Sequence, residues 1–332
     1  MLLSHLGNLE VIGTGSSLPS QVVKTEEFEG RDLWAYDLNE FRVGEPRRFT
    51  SQKIIDLTGI YERRKSAPNE WPSDMGYRAA LNALEMAKIS PDDLVGIVVA
   101  TVSERDNFPS AAVKIQYKLG ARNVVKAQDT QNACAGYPAA ISDANSFSRD
   151  FPGYWLVVAS EVLTKINDYT DINSHLFGDG AGAVVLKPTL ERRGIVGTYS
   201  ASQPFDKGIE MIYRGNIIDC IRMPDGRGVL KRAVRAMTES AVALKKQVGW
   251  ERADVYIPHQ ANERIIEGVE DNLKGDGAVV YRNIAKYGNM SSATCAVALD
   301  EAIRDGTIKE GNRVVVTSFG AGLVTSAVAL QF

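Results

Sequence analysis

Cys134 in DTQNACAGYPAA, His259 in YIPHQANERII and Asn289 in KYGNMSSAT are the residues of this chain whose types and settings suit nucleophilic chemistry. Cys134 falls where a strand-like run gives way to a helical one. A thiolate in the first turn of a helix faces the positive end of the helix dipole and several unpaired N–H groups, which predicts a lowered pKa and a reactive sulfur. Ala135 and Gly136 leave room for a substrate beside it. A packed core cysteine is the competing reading. His259 follows an apolar strand and precedes a helix, at a strand end where sites often open, although a lone histidine there is often structural. Asn289 follows a glycine just ahead of a helix, which is also the place of a cap or turn residue. Taken together, a cysteine, a histidine and an asparagine at three loop-to-helix junctions point to covalent catalysis through sulfur. Cys220 and Cys295 read as packing residues.

Other motifs argue for exclusion. GTGSSL (13–18) lacks the third glycine of a dinucleotide fingerprint and reads as a tight turn after a first strand. No phosphate-loop pattern occurs. The three histidines have no metal-ligand spacing, so neither a metal nor a cofactor is expected.

The elements that must hold these residues follow an alternating α/β plan. LEVIGTGSSLPSQVV reads as a strand, a Gly/Ser turn and a Pro-led exit. SDMGYRAALNALEMAKI (73–89) reads as a helix capped by Ser73, with Met75, Ala79, Leu81, Leu84 and Met86 on one broad face. VGIVVATV is continuously apolar, as a strand covered on both faces should be. Residues 109–119 read as a helix with Pro109 in its first turn. NVVKAQD, WLVVASEVL and FGDGAGAVVLKP are further strands, and ACAGYPAAISDANSFSRD a helix. Residues 26–50 show no clear period and read as an inserted loop or short helices, with Trp34, Tyr36, Phe41 and Phe49 among them. The second part repeats the plan, from the helix GVLKRAVRAMTESAVALKKQVG to the closing strand pair NRVVVTSFGAGLVTSAVALQF. FGDGAGAVVL (177–186) and FGAGLVTSAVAL (319–330) are weakly alike, which predicts two related halves, 1–188 and 189–332, joined near 188–195.

Apolar residues form 44% and charged residues 24% of the chain, an ordinary globular balance. A net charge of -3 argues against a nucleic-acid partner. Three cysteines without close pairing fit a reducing compartment. The first residues do not read as a secretory signal, and the apolar runs fall far short of the roughly 20 residues of a membrane helix. These features predict a cytoplasmic protein with no membrane partner.

Nearly the whole sequence resembles the type III β-ketoacyl-acyl-carrier-protein synthases of the thiolase superfamily. The resemblance rests on VIGTGSSLP, LTGIYERR, FPSAA, ACAG, FGDGAGAVVL, PHQANERII, YGNMSSAT and ALDEAIRDGTIKEGNRVVVTSFGAG, in family order. It implies the five-layered thiolase fold of two similar α/β halves. It also implies roles: Cys134 as acyl-accepting nucleophile, His259 and Asn289 as donors to an enolate, and the backbone N–H groups of Cys134 and Ala321 as the oxyanion site. Ala321 replaces a family glycine, and a backbone donor survives that change. Phe108 resembles the residue that closes the acyl pocket of the opposite subunit in a homodimer, with a core aromatic as the alternative. The implied substrates are an acyl thioester, on coenzyme A or an acyl-carrier protein, and malonyl-acyl-carrier protein.

Some positions depart from the family pattern. Lys53 and Leu57 stand where the family has the tryptophan and arginine that hold the adenine of coenzyme A, and leucine cannot stack as arginine does. That leaves the acyl carrier open. Lys231, Arg232, Arg235 and Arg264 are candidates for docking an acidic carrier protein, against Glu263, Glu267, Glu270 and Asp271 on the helix after His259. LVTSAV lacks a tryptophan common in relatives. The departures fit a specialised branch such as secondary metabolism. Three other readings stay open at this stage: transfer of the acyl group to an alcohol or amine, a papain-like peptidase with the same Cys, His, Asn order, and a partner subunit without catalysis.

Overall fold

The computed structural model describes residues 8–37, 42–203, 213–214, 219–221, 223 and 225–332. Its first stretch runs β1 (Leu9–Ser17), β2 (Gln21–Lys24), β3 (Leu33–Tyr36), β4 (Arg42–Arg47), α1 (Ser51–Thr58), β5 (Glu62–Lys65), α2 (Pro72–Ala87), β6 (Leu94–Ala100), α3 (Ala111–Leu119), β7 (Lys126–Thr130), α4 (Gly136–Phe147), β8 (Tyr154–Val162) and β9 (Asp179–Pro188). The second stretch follows after a short link. It runs β10 (Gly194–Ser202), β11 (Tyr213–Arg214), β12 (Asp219–Cys220), α5 (Gly226–Val248), β13 (Val255–Pro258), α6 (Glu263–Leu273), β14 (Val279–Val280), α7 (Ile284–Tyr287), α8 (Ala293–Arg304), β15 (Arg313–Gly320) and β16 (Val324–Gln331).

Two five-stranded sheets form, in the orders β1-β9-β8-β6-β7 and β10-β16-β15-β13-β14. Position by position the two orders match, and in each the second strand runs antiparallel to its neighbours. The paired motifs explain this: the first Phe-Gly-Asp-Gly leads into β9 and the second Phe-Gly-Ala-Gly into β16, which hold equivalent places. Central strands are apolar on both faces because each sheet is covered twice. Helices α4 and α8 fill the space between the sheets, where Tyr137, Ile141, Val297 and Leu299 meet Val157 and Val316. Helices α2 and α3 cover the far face of the first sheet, and α5 and α6 that of the second. The result is the five-layered αβαβα arrangement. Helix α8 is buried along almost its whole circumference, so small residues suit it: a methyl group on Gly182 of β9 would come within 2.6 Å of Ala296.

Several local expectations are corrected. GTGSS lies inside β1 and makes no turn, because α2 presses on that strand: a methyl group on Gly13 or Gly15 would stand 2.4 Å from the carbonyl oxygen of Ala83 or Ala79. Trp71, not Ser73, caps α2; Ser73 lies within the first turn, and its N–H donates to Glu104 across 2.9 Å. Leu81 and Met86 lie toward solvent, at 40% and 38% exposure, while Met75, Ala79 and Leu84 face the sheet. Ser110 caps α3, so Pro109 precedes the helix. The stretch read as loop or short helices is a 3-10 turn at Thr25–Phe28 followed by the β3–β4 hairpin, in which Arg42 lies 4.9 Å over Trp34. Phe41 falls outside the described residues. The hairpin is anchored by Trp34, which donates to Thr170 O and accepts from Ile172 N.

Candidate active site

The turn that carries Cys134 is built by the passage from β7 into α4. A 3-10 turn, Ala133–Ala135, carries Cys134, and Ala133 adopts the left-handed region at φ 45°. That is an uncommon conformation for a residue with a side chain, and the packing around it must hold it. The end of β15 supplies that packing. Ser318 donates from Oγ to the Cys134 carbonyl at 2.6 Å, and a methyl group on Gly320 would lie 2.7 Å from Asn132 O and 3.1 Å from Cys134 N.

His259 is held at the end of β13, where its N–H extends the ladder to Thr317 O at 2.9 Å. Its Nδ1 lies 2.7 Å from Thr294 Oγ1 on α8. Asn289 bridges the halves: its N–H donates to Leu176 O at 2.8 Å and its carbonyl accepts from Gly178 N at 3.0 Å. The Asn289 side-chain oxygen accepts from Ser291 N at 2.8 Å. The turn reading and the site reading of Asn289 therefore hold together, since engaging the oxygen in the turn fixes the amide and leaves its NH₂ as the free end.

Cys134, His259 and Asn289 line one cavity, with Phe319, Gly320 and Ala321. A second, mostly apolar cavity also reaches Cys134, lined by Val102, Leu163, Phe177 and Ile221. Ala321 borders both. All three polar residues are nearly covered, at 7%, 3% and 4% exposure for Cys134, His259 and Asn289. Burial decides their protonation. It pushes the Cys134 thiol up to about 12, with the Glu161 carboxylate adding to the rise, and it pulls His259 down to about 3. The lowered thiol pKa expected from the helix terminus is thus overturned: Cys134 precedes α4, and loss of water outweighs the dipole.

Sequence reading missed a supporting group. Glu161 at the end of β8 is fully buried, accepting from Ser103 Oγ at 2.6 Å, Ser292 Oγ at 2.8 Å and Val102 N at 3.1 Å. It ties β6, β8 and the loop after Asn289 into one block. Nothing in the local pattern of WLVVASEVL distinguishes it from a strand-end carboxylate in water.

Cys295 is packed inside the central layer as expected, and Cys220 is buried too. Phe108 is 84% exposed, so the core-aromatic alternative is excluded. Around the mouth, α1 is tied to the start of α6: Asn262 Nδ2 donates to Leu57 O and Arg264 Nη2 to Asp56 O. Lys53 and Lys231 are exposed on their helices. Arg232 pairs with Asp225 at 3.0 Å and Arg235 with Glu239 at 2.8 Å. Arg282, which the sequence did not single out, sits between Glu263 and Glu270 and offsets part of the acidic face of α6. Among the described residues no cluster of His, Cys, Asp and Glu is arranged to hold a metal, and no helix is long and apolar enough to cross a membrane.

Comparison with known proteins decides the family. Residues 128–204 match the 3-oxoacyl-[acyl-carrier-protein] synthase III model, and residues 244–332 match the model of its C-terminal part. A β-ketoacyl-[acyl-carrier-protein] synthase III of Oceanobacillus iheyensis is 39% identical over 98% of this chain and 99% of its own. The chain belongs to the β-ketoacyl-[acyl-carrier-protein] synthase III family. The crystal structure of the 3-oxoacyl-[acyl-carrier-protein] synthase III of Aquifex aeolicus superposes with a TM-score of 0.84 at 34% identity, covering 98% of this chain and 100% of that one. The priming β-ketosynthase of the R1128 polyketide pathway superposes at 0.85 with 30% identity, covering 98% and 96%. With the family goes the thiolase fold, and the peptidase reading ends there.

Proposed function

We propose that this synthase III family member condenses a Cys134-bound acyl group with a malonyl thioester, carried by an acyl-carrier protein, to give a β-ketoacyl thioester. The carrying observation is the meeting of Cys134, His259 and Asn289 on one cavity, with an apolar cavity opening beside the same sulfur. The first half-reaction moves the acyl group. As the Cys134 sulfur bonds to the acyl carbonyl, its proton passes to His259, and the carrier thiolate leaves with that proton. The N–H groups of Cys134 and Ala321 hold the oxyanion in this reading, which the seating of Gly320 against the Cys134 peptide supports.

In the second half-reaction the malonyl C–CO₂ bond breaks, and its electron pair becomes an enolate. Asn289 Nδ2–H and an imidazole N–H of His259 bond the enolate oxygen. Its carbon then attacks the acyl carbonyl, the C–S bond to Cys134 breaks, and the Cys134 thiolate takes from solvent the one proton that the overall reaction consumes. Decarboxylation supplies the electrons for the new bond, so the reaction needs no cofactor. Transfer to an alcohol or amine would have no use for the oriented Asn289 amide, which favours condensation.

The division of labour follows the halves, 1–188 bringing the nucleophile and 189–332 bringing His259 and Asn289. We place the active form as a homodimer. The strand β7 is a sheet edge, and Phe108, Tyr117 and Val125 stand exposed beside it at 84%, 87% and 64%. In such a dimer Phe108 reaches toward the partner's acyl cavity. Lys231, Arg232, Arg235 and Arg264 form the docking face for an acidic carrier protein, whose carboxylates would exchange with the exposed in-chain partners at small cost. A catalytic thiol that must stay reduced fits the cytoplasm.

The test is acylation itself. Intact mass is recorded after incubation with a panel of acyl-coenzyme A and acyl-carrier-protein thioesters, with Cys134→Ala as control. A mass gain on the wild type alone, discharged by malonyl thioester with release of CO₂, is the expected result. Discharge by an alcohol or amine alone would favour transfer, and no labelling by any donor would favour a partner subunit without catalysis.

A further inference from the structure

Which nitrogen of His259 carries the proton follows from a pair of contacts. Nδ1 lies 2.7 Å from Thr294 Oγ1, and that same oxygen lies 2.9 Å from the Ser291 carbonyl oxygen. Both side chains are buried, at 3% and 0% exposure. The threonine hydroxyl has one proton to give. Given to Nδ1, it would leave two oxygens facing each other at 2.9 Å with no hydrogen between them. Given to the Ser291 carbonyl, it frees the hydroxyl oxygen to accept from Nδ1–H, and both contacts become hydrogen bonds. This second arrangement puts the ring proton on Nδ1 and leaves Nε2 with an open lone pair.

We infer that Thr294 is a positioning residue for the acylation step, holding His259 as the Nδ1–H tautomer so that Nε2 receives the Cys134 thiol proton. The inference rests on the condensing reading above. In the step it serves, the S–H bond breaks as the sulfur–acyl bond forms, and the proton goes to Nε2. The carrier C–S bond then breaks, and the departing thiolate takes that proton back. Burial keeps the ring neutral, so the tautomer and not the net charge is the variable. Ser291 anchors the arrangement through both of its backbone polar groups. Its N–H fixes the Asn289 amide and its carbonyl fixes the Thr294 hydroxyl, while its own φ of 47° lies in the left-handed region. Condensation later requires a proton on Nε2. The ring gains that proton at Nε2 from solvent through the open cavity and gives up its Nδ1 proton, and the hydroxyl can follow by turning about its Cβ–Oγ bond to donate to Nδ1 in exchange for its bond to the Ser291 carbonyl.

The variants Thr294→Val and Thr294→Ser test this. Valine keeps the shape but offers Nδ1–H no acceptor, and a buried N–H without a partner is disfavoured more than a bare nitrogen. The ring should shift toward Nε2–H, and acylation should slow by about ten- to hundredfold. Discharge of pre-acylated enzyme by malonyl thioester should change by less than about threefold. Thr294→Ser should restore acylation. Nitrogen-15 spectra of the wild type, assigned against His259→Ala, should report Nδ1–H at rest. A resting Nε2–H tautomer, unchanged acylation in Thr294→Val, or an equal fall in both half-reactions would overturn the inference. Failure of the wild type to acylate would be failure of the condensing reading itself, seen before any variant is compared.

Discussion

Cys134 and His259 are moved in opposite directions by one cause, the loss of water, so at neutral pH they rest as thiol and imidazole and not as an ion pair. In the condensation proposed above, the proton must then move within the complex, which is why the orientation of the ring matters. The same cause acts on a histidine outside the reaction. His175 is buried, its Nδ1 has no hydrogen-bond partner, and its carbonyl accepts from Arg63 Nη2 at 2.5 Å. Burial, then the Arg63 charge, pulls it from 6.5 to about 4. A depressed histidine binds its proton more weakly in the folded state, so stability falls as pH drops from about 6.5 toward about 4. Relative to His175→Gln, the wild type should therefore lose about 2–3 kcal/mol between pH 7 and pH 4 in urea titrations. A constant gap between the two proteins would show that His175 does not titrate across that range.

The elements place the site through close packing that single residues permit. Strand β1 and helix α2 touch backbone to backbone at Gly13 and Gly15, and a side chain at either would drive them apart. Gly15→Ala should cost about 1–3 kcal/mol in thermal or chemical unfolding, since the atoms it meets are backbone with little room to yield. A neutral result would mean that β1 can slide on α2. The strands and long helices were legible because their apolar period is carried by consecutive residues, as in VGIVVATV for β6 and GVLKRAVRAMTESAVALKKQVG for α5. GTGSS misled because glycine marks a close approach as readily as a turn. The β3–β4 hairpin was illegible for another reason: its register depends on Trp34 pairing alongside residues 170–172, far away in sequence.

At the scale of the molecule, two sheets of matching order set their strand ends together, and Cys134 arrives from one while His259 arrives from the other. The exposed apolar side chains beside β7 belong to this scale as well. Light scattering should give twice the 36.2 kDa of the chain, and Val125→Arg should shift the protein to monomer and lower activity. A wild type that is monomeric and fully active would sink the dimer and the cross-subunit place of Phe108. The sequence by itself determined which residues could act, the α/β plan and the duplication, because residue type and local apolar period are written in adjacent positions. Only the tertiary structure decided how the site is charged and held. Thr294 meets His259 across 35 positions and Ser318 meets Cys134 across 184, and the raised thiol pKa comes from what packs over the sulfur. Burial and contact between distant elements have no period along the chain, so they exist only once the layers close.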